Sequence, residues 1–184
     1  MPDSSVLMKP SSGMCNMHCD YCFYCDEMQK REQESYGFMS EETLKNVIRR
    51  TMVHARRQVN YAYQGGEPAL RGLDFFRKAV EFQNKYNRRG IQVHNAFQTN
   101  GYLLDEEWCR FLAENHFLVG LSVDGTKETH DACRHDKKGS GTYDVVTKAA
   151  ALMDAYGVEY NILTVVTEKT AAGIDEIYKA YSRR

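Results

Sequence analysis

Cys15, Cys19 and Cys22 stand in one short run, Cys15-Asn16-Met17-His18-Cys19-Asp20-Tyr21-Cys22, with C-x3-C-x2-C spacing. Thiolates are the protein ligands of iron–sulfur cubes, and three close cysteines can each take one iron from a single loop. The fourth iron is then open to a small ligand, the iron–sulfur counterpart of a catalytic metal site that keeps a vacant position. Cys25 follows closely and could supply a fourth sulfur. A closed four-thiolate site would suit electron transfer or structure instead. The fully ligated ferredoxin run is spaced x2, x2, x3, whereas the order here is x3, x2, x2. Zinc also takes close thiolates but ordinarily needs a second ligand pair downstream. No C-x2-C or H-x3-H pair occurs later in the chain.

Composition narrows the setting. The 184 residues carry a net charge of −1 and are 42% hydrophobic, an ordinary soluble globular balance without the excess of positive charge that nucleic acid or an anionic membrane would call for. Basic pairs such as Arg49-Arg50 and Arg88-Arg89 read as solvated helix surface. No apolar run is long enough to span a bilayer, and the Met1–Ser5 start lacks the pattern of a signal peptide. A cytoplasmic location follows as the expectation. There thiols stay reduced, so six cysteines point to metal or redox chemistry rather than to disulfides.

The elements that must position these residues alternate. Val6–Met8 reads as a strand entering the cysteine loop. Ser40 caps a helix with Leu44, Val47, Ile48 and Met52 at helical spacing. Residues 59–63 alternate with period two. Residues 73–86 are predicted helical, 91–97 a strand, and Asp105 caps a helix bearing Trp108, Phe111 and Leu112. The near-continuous apolar run 117–121 fits a parallel strand buried on both faces. A helix over 143–155, a strand over 158–166 and a helix over 174–181 complete five β-α repeats. Such alternation means an α/β fold with a parallel sheet. A doubly wound sheet and a barrel-like sheet both fit the local pattern.

Polar or glycine-rich segments follow four successive strands: the cysteine loop, Gln64-Gly65-Gly66-Glu67-Pro68, Gln98-Thr99-Asn100-Gly101 and Ser122-Val123-Asp124-Gly125. In a parallel sheet the carboxyl ends of the strands share one rim, where α/β folds build their sites. Any one segment reads equally well as a turn; all four together do not.

The cysteine run, with Tyr21 as the aromatic before the third cysteine, resembles the signature of the radical S-adenosylmethionine (radical SAM) superfamily. Lys9-Pro10-Ser11-Ser12, Cys22-Phe23-Tyr24, Tyr36-Gly37-Phe38-Met39, the Gln64–Pro68 and Gln98–Gly101 segments and Gly120–Gly125 extend the likeness. Together they resemble anaerobic sulfatase-maturating enzymes, from Val6 to the end of the chain. The resemblance implies a partial (β/α) barrel with five of the six β-α units of a radical SAM core. Residues 1–184 are then a core domain truncated at its C-terminal end, without the auxiliary-cluster (SPASM) domain of that family. It implies one 4Fe–4S cluster on Cys15, Cys19 and Cys22, and S-adenosylmethionine as a second cofactor.

By the same resemblance Tyr21 helps seat the adenine. Gly65, Gly66 and Glu67 receive the methionine ammonium, which needs acceptors and close backbone. Ser122 contacts the cofactor. Arg134 holds the methionine carboxylate, for which a guanidinium fork is suited, although an arginine there also reads as an exposed loop residue. Tyr24 and Gln64 are candidate contacts for the peptide substrate; Tyr24 also reads as loop packing. Asp124 reads as a turn with Gly125 rather than as an acceptor for a ribose hydroxyl. Cys25 is expected to point away from the cluster, Cys109 to be a packed thiol, and Cys133 to be exposed.

The implied reaction is reductive cleavage of S-adenosylmethionine to a 5′-deoxyadenosyl radical. That radical serves oxidation of a Cys or Ser in a sulfatase polypeptide to Cα-formylglycine, with a flavodoxin- or ferredoxin-like electron donor and neither nucleic acid nor membrane as partner. The family's general base lies beyond the last residue, so no catalytic base is assigned, and turnover by these residues alone is expected to be incomplete. Another SPASM-type peptide-modifying enzyme, or an inert or electron-transferring iron–sulfur fragment, stays open.

Overall fold

The computed structural model describes residues 4–182. The Met1–Asp3 start and the Arg183-Arg184 end, where the sequence offers no helix stop, lie outside the described residues. In chain order the elements are β1 (Ser4–Met8), β2 (Met17–Cys19), α1 (Phe23–Gln29), α2 (Glu41–His54), β3 (Gln58–Tyr63), α3 (Leu73–Tyr86), β4 (Gln92–Thr99) and α4 (Glu106–Glu114). There follow β5 (Phe117–Ser122), α5 (Lys127–Asp131), β6 (Arg134–Asp136), α6 (Tyr143–Tyr156), β7 (Tyr160–Leu163), α7 (Glu168–Ala172) and α8 (Ile174–Ser182). A short 3-10 turn at Pro68–Arg71 precedes α3.

Local chemistry explains the main borders. Ser40 Oγ accepts the Thr43 backbone N–H at 3.1 Å and starts α2. Leu44, Ile48 and Met52 recur along one face of that helix and are all buried. Asp105 Oδ1 accepts Trp108 N–H at 2.9 Å and starts α4. In β3 the alternation is strict: Val59, Tyr61 and Tyr63 are buried and their neighbours half-buried.

The main sheet runs β1-β3-β4-β5-β7, every neighbouring pair parallel. Spatial order follows chain order without reversal. A doubly wound sheet must reverse its strand order at a switch point. This one does not, so of the two arrangements compatible with the sequence it is the barrel-like one, an open partial barrel with β1 and β7 at its edges. One face packs on the helices through Tyr63, Phe76, Phe97 and Trp108, whose rings meet edge to face or tilted at centroid distances of 5.1–5.4 Å. Asn95 and Gln83 also lie in this core, and their amides satisfy each other at 2.8 and 3.0 Å. The other face presents Ala62, Ala96 and Gly120, residues small enough to leave room above the strands.

Three features depart from the sequence expectations. The last strand covers only 160–163, the stretch that pairs with β5 from Val119↔Tyr160 to Ser122↔Leu163. A two-stranded antiparallel sheet, β2 with β6, pairs the cysteine loop with the segment around Arg134, in register Cys19↔Arg134. Cys133, expected at the surface, is buried, and its carbonyl accepts Asp20 N–H at 3.0 Å. Cys109 is packed as expected and His18 is exposed. Among the described residues no helix is long and apolar enough to cross a membrane.

Candidate functional site

The cysteine loop is pinned on three sides. Met14 N–H closes a turn on Ser11 O at 2.9 Å, Glu67 N–H reaches across to Met14 O at 2.8 Å, and β2 pairs with β6. Cys22 N–H then folds back on Cys19 O at 3.0 Å, and Cys22 becomes the first cap of α1. Gly66 stands where this loop comes closest. Its φ is +56°, and a Cβ there would overlap the Met14 carbonyl oxygen.

Cys15, Cys19 and Cys22 thereby line one cavity at the carboxyl ends of the strands. With them stand Tyr21, Tyr24, Gln64, Gly65, Gly66, Glu67, Ser122 and Arg134, the residues that the sequence associates with cofactor and substrate. Gln98, Thr99 and Asn100 complete the wall. Cys25 is not part of it; it lines a second cavity with His18, Met28 and Lys137, which meets the first at Cys15.

The donor set suits a cluster better than a lone ion. Among the described residues no three His, Cys, Asp or Glu side chains close on a single-ion point, yet three thiols surround one cavity. Burial pushes the Cys15 thiol up, and pushes Cys19 up to about 12 against the opposing pull of Arg134. Such thiols stay protonated until a bound cation inverts the local balance. N–H donors wait beside the sulfur. Met17 N and Asn100 Nδ2 point at Cys15 Sγ from 3.4 and 3.6 Å, and Asn16 Nδ2 is buried with no acceptor among the described residues.

Glu67 joins two strand ends. Its Oε1 accepts Ala69 N–H at 2.9 Å and the Thr99 hydroxyl at 2.8 Å, and its Oε2 accepts Asn100 N–H at 2.7 Å. Burial pushes its carboxyl up to about 7, against these hydrogen bonds, which favour the anion. Asn100 passes the linkage on, donating from Nδ2 to Asn16 Oδ1 at 2.9 Å. Gln98 Nε2 donates to Ser122 Oγ at 3.1 Å and holds that hydroxyl at the cavity wall.

Arg134 is buried, not a surface loop residue, with its side chain 7% exposed. Nε donates to Asp124 Oδ2 at 2.8 Å and Nη2 to Asp124 Oδ1 at 3.2 Å. That side-on pair uses one edge of the guanidinium. The end-on edge, Nη1 with the second Nη2 hydrogen, has no acceptor among the described residues, while the side chain lines the cavity. Burial alone would lower Arg134, but the Asp124 carboxylate more than offsets it and holds the group above its ordinary value.

Asp124 is thus more than a turn residue. It also accepts the Tyr21 hydroxyl and Val165 N–H, the latter at 3.0 Å, so one carboxylate ties the cysteine loop, β6 and the end of β7 together. The Tyr21 ring lies 5.4 Å under the Arg134 guanidinium. Behind Asp124, His130 Nδ1 accepts its backbone N–H at 3.2 Å, and His130 Nε2 meets Thr142 Oγ1 at 3.0 Å. Burial pushes His130 down to about 4, which keeps the ring neutral and able to accept. Tyr181 of α8 bonds Val123 O at 2.9 Å and Gly125 N–H at 2.8 Å and closes the same turn from outside. Sequence reasoning assigned no role to Asn100, His130 or Tyr181. Only Asn100 carried a signal, its place in a strand-end segment.

A second hollow adjoins the first over the open face of the sheet. Gln64 and Gln98 belong to both, and Ala62, Ala96, Gly120, Asn161 and Leu163 form its floor and edge.

Residues 10–180 match the model of the radical SAM superfamily. Over 184 residues the chain is 46% identical to a cysteine-type anaerobic sulfatase-maturating enzyme of Clostridium perfringens, of which it covers 50%. It is 38% identical over 167 residues, 90% of its length, to a serine-type enzyme of Bacteroides thetaiotaomicron, of which those residues are 40%. Native anSMEcpe solved with bound AdoMet and the Cp18Cys peptide superposes with a TM-score of 0.92 at 45% identity, over 99% of this chain and 48% of that one. Spore photoproduct lyase complexed with its dinucleoside photoproduct, at 13% identity and a TM-score of 0.69, shares the fold. The chain spans about half the length of the curated relatives it matches.

Proposed function

This chain belongs to the radical SAM superfamily, and from that premise we propose that it forms the cofactor-cleaving core of an anaerobic sulfatase-maturating enzyme. The observation that carries the reading is the single cavity that gathers Cys15, Cys19 and Cys22 with Gly65, Gly66, Glu67, Ser122 and Arg134.

Cys15, Cys19 and Cys22 would hold a 4Fe–4S cluster with one iron left for S-adenosylmethionine. When bound, the reduced cluster would supply the electron for reductive cleavage of S-adenosylmethionine. The chain's own residues bind and orient. Close backbone at Gly65 and Gly66 offers acceptors to the cofactor's ammonium. The end-on edge of Arg134 and the Ser122 hydroxyl would hold its carboxylate. Tyr21, held by Asp124 and covered by Arg134, presents a fixed ring for the adenine. Glu67 acts through structure, since its carboxylate is engaged by Thr99, Ala69 and Asn100.

Gln64 lines both this cavity and the neighbouring hollow, Tyr24 lines the first, and both are assigned to the polypeptide substrate. Lys9 Nζ sits 4.8 Å over the Tyr24 ring and steadies it. The substrate is a Cys or Ser of a sulfatase, oxidised to Cα-formylglycine, and the higher identity to the cysteine-type enzymes favours Cys. Residues 1–184 act as one core domain, fed by a flavodoxin- or ferredoxin-like donor. All six cysteines are unpaired, which suits a reducing cytoplasm. No general base is assigned within the chain. The placement of Cys25 outside the cavity speaks against the closed four-thiolate alternative.

The test is anaerobic incubation of the cluster-loaded chain with S-adenosylmethionine, reductant and matched sulfatase peptides carrying Cys, Ser or Ala at the target position. Aldehyde formation is trapped with a hydrazide. Peptide-dependent stimulation of cofactor cleavage by the Cys peptide, lost with Ala, supports the reading. Cleavage indifferent to all three peptides refutes the sulfatase assignment.

A further inference from the structure

Cys25 has no part in the proposed site, yet its surroundings are specific. Cys22 caps α1 and Cys25 sits in its first turn, with Cys25 N–H donating to Cys22 O at 3.1 Å. Residues three apart on a helical turn hold their Cβ atoms about 5–6 Å apart and a disulfide spans about 3.5–4.5 Å, so closure needs the cap to move by about 1–2 Å. Cys22 lines the site cavity and Cys25 the second one, which opens to solvent beside His18 and Lys137. Both cysteines are half-exposed. α1 buries no residue and has no side-chain cap, so its first turn can shift without losing core packing.

We propose that Cys22 and Cys25 form a reversible disulfide in the cluster-free chain, a modification site that withdraws one thiolate and couples cluster loading to thiol redox state. The oxidant is a small-molecule disulfide. One cysteine thiolate attacks it, forming a mixed disulfide and releasing one thiol. The second cysteine then attacks the protein sulfur of that bond and releases the second thiol. The pair loses two electrons and two protons, and the small disulfide is reduced to two thiols. A dithiol reverses the sequence. The effect on loading rests on the proposed role of Cys22 as a ligand; the disulfide itself does not.

The experiment treats the cluster-free chain anaerobically with oxidised glutathione, blocks remaining thiols with iodoacetamide and maps them by mass spectrometry. Chymotrypsin cuts between Phe23 and Tyr24 and so separates the two cysteines. Iron uptake is measured in parallel, with and without dithiothreitol. The expected result is a Cys22–Cys25 cross-link, loss of most iron uptake after oxidation, and its recovery with the dithiol. Cys25→Ala is expected to form no such link and, after dithiothreitol, to load iron to the wild-type level. Free, alkylated Cys25, or a link from Cys25 to Cys15 or Cys19 instead, overturns the proposal. A Cys22–Cys25 link that leaves iron uptake unchanged keeps the modification site and overturns the coupling; unimpaired loading by Cys22→Ala then marks the ligand assignment as the failure.

Discussion

Replacing Asp124 with Ala removes, in one step, the partner of a buried cation and the acceptor for two further donors. Arg134 is 7% exposed and Asp124 1%, so the guanidinium left behind cannot be rescued by water. Removing one partner of a buried ion pair costs about 3–5 kcal/mol. For a chain of this length each kcal/mol lowers the unfolding temperature by about 2–4 °C, so Asp124→Ala is expected to melt roughly 6–20 °C below the wild type. The assay is thermal unfolding of the cluster-free chain followed by circular dichroism, which makes the reading independent of activity. Adding Arg134→Met removes the stranded charge, and the double variant is expected to recover part of the loss despite the Val165 N–H left without its acceptor. A loss below about 1 kcal/mol, the range of exposed pairs, would refute the reasoning. So would a double variant no more stable than the sum of the single effects. Asp124→Ala is also expected to weaken S-adenosylmethionine binding about tenfold, or 1.4 kcal/mol, by releasing the side-on hold on Arg134.

Two buried groups give opposite pH dependences. Glu67 has a folded value raised to about 7 from 4.5, so its contribution is present at pH 4.5 and below and is lost as pH rises toward 7. Glu67→Gln is expected to flatten the decline in urea-measured stability between pH 5 and 7.5, on the order of 2–3 kcal/mol, and an unchanged slope counts against it. His130 is depressed to about 4 from 6.5, so stability is lost as pH falls through that window, and His130→Gln is expected to remove that acid sensitivity in the same titration. Gly66→Ala forces a Cβ onto the Met14 carbonyl at positive φ and is expected to cost more than about 2 kcal/mol together with most iron uptake. Gly72→Ala, with φ +85° and ψ 151° in a region that glycine almost alone adopts but with open space around it, is expected to cost only the backbone term, about 1–3 kcal/mol, by thermal melt, and to keep iron uptake.

The framework was legible where local signals and burial agree. Ser40 and Asp105 cap their helices as their types suggest, and Leu44, Ile48 and Met52 form the buried stripe that their spacing describes. The cavity residues were legible because strand ends share a rim. Features built from distant, short or exposed pieces were not. β2 and β6 are three residues each, too short to carry a period, and only folding brings Cys19 opposite Arg134. α1 buries nothing, so it has no apolar stripe to read. Asp124 before Gly125 has the composition of a turn, and its ties to Arg134, Tyr21 and Val165 span up to 103 positions. His130 shows no ligand spacing because it holds a backbone N–H rather than a metal.

The decisive measurement is anaerobic cluster reconstitution followed by reductant and S-adenosylmethionine, with 5′-deoxyadenosine quantified by chromatography and mass spectrometry. A 4Fe–4S spectrum perturbed by S-adenosylmethionine, with 5′-deoxyadenosine formed by the wild type and by Cys25→Ala but not by Cys19→Ala, is the predicted result. A cluster that forms yet neither responds to S-adenosylmethionine nor yields 5′-deoxyadenosine would contradict the proposed site.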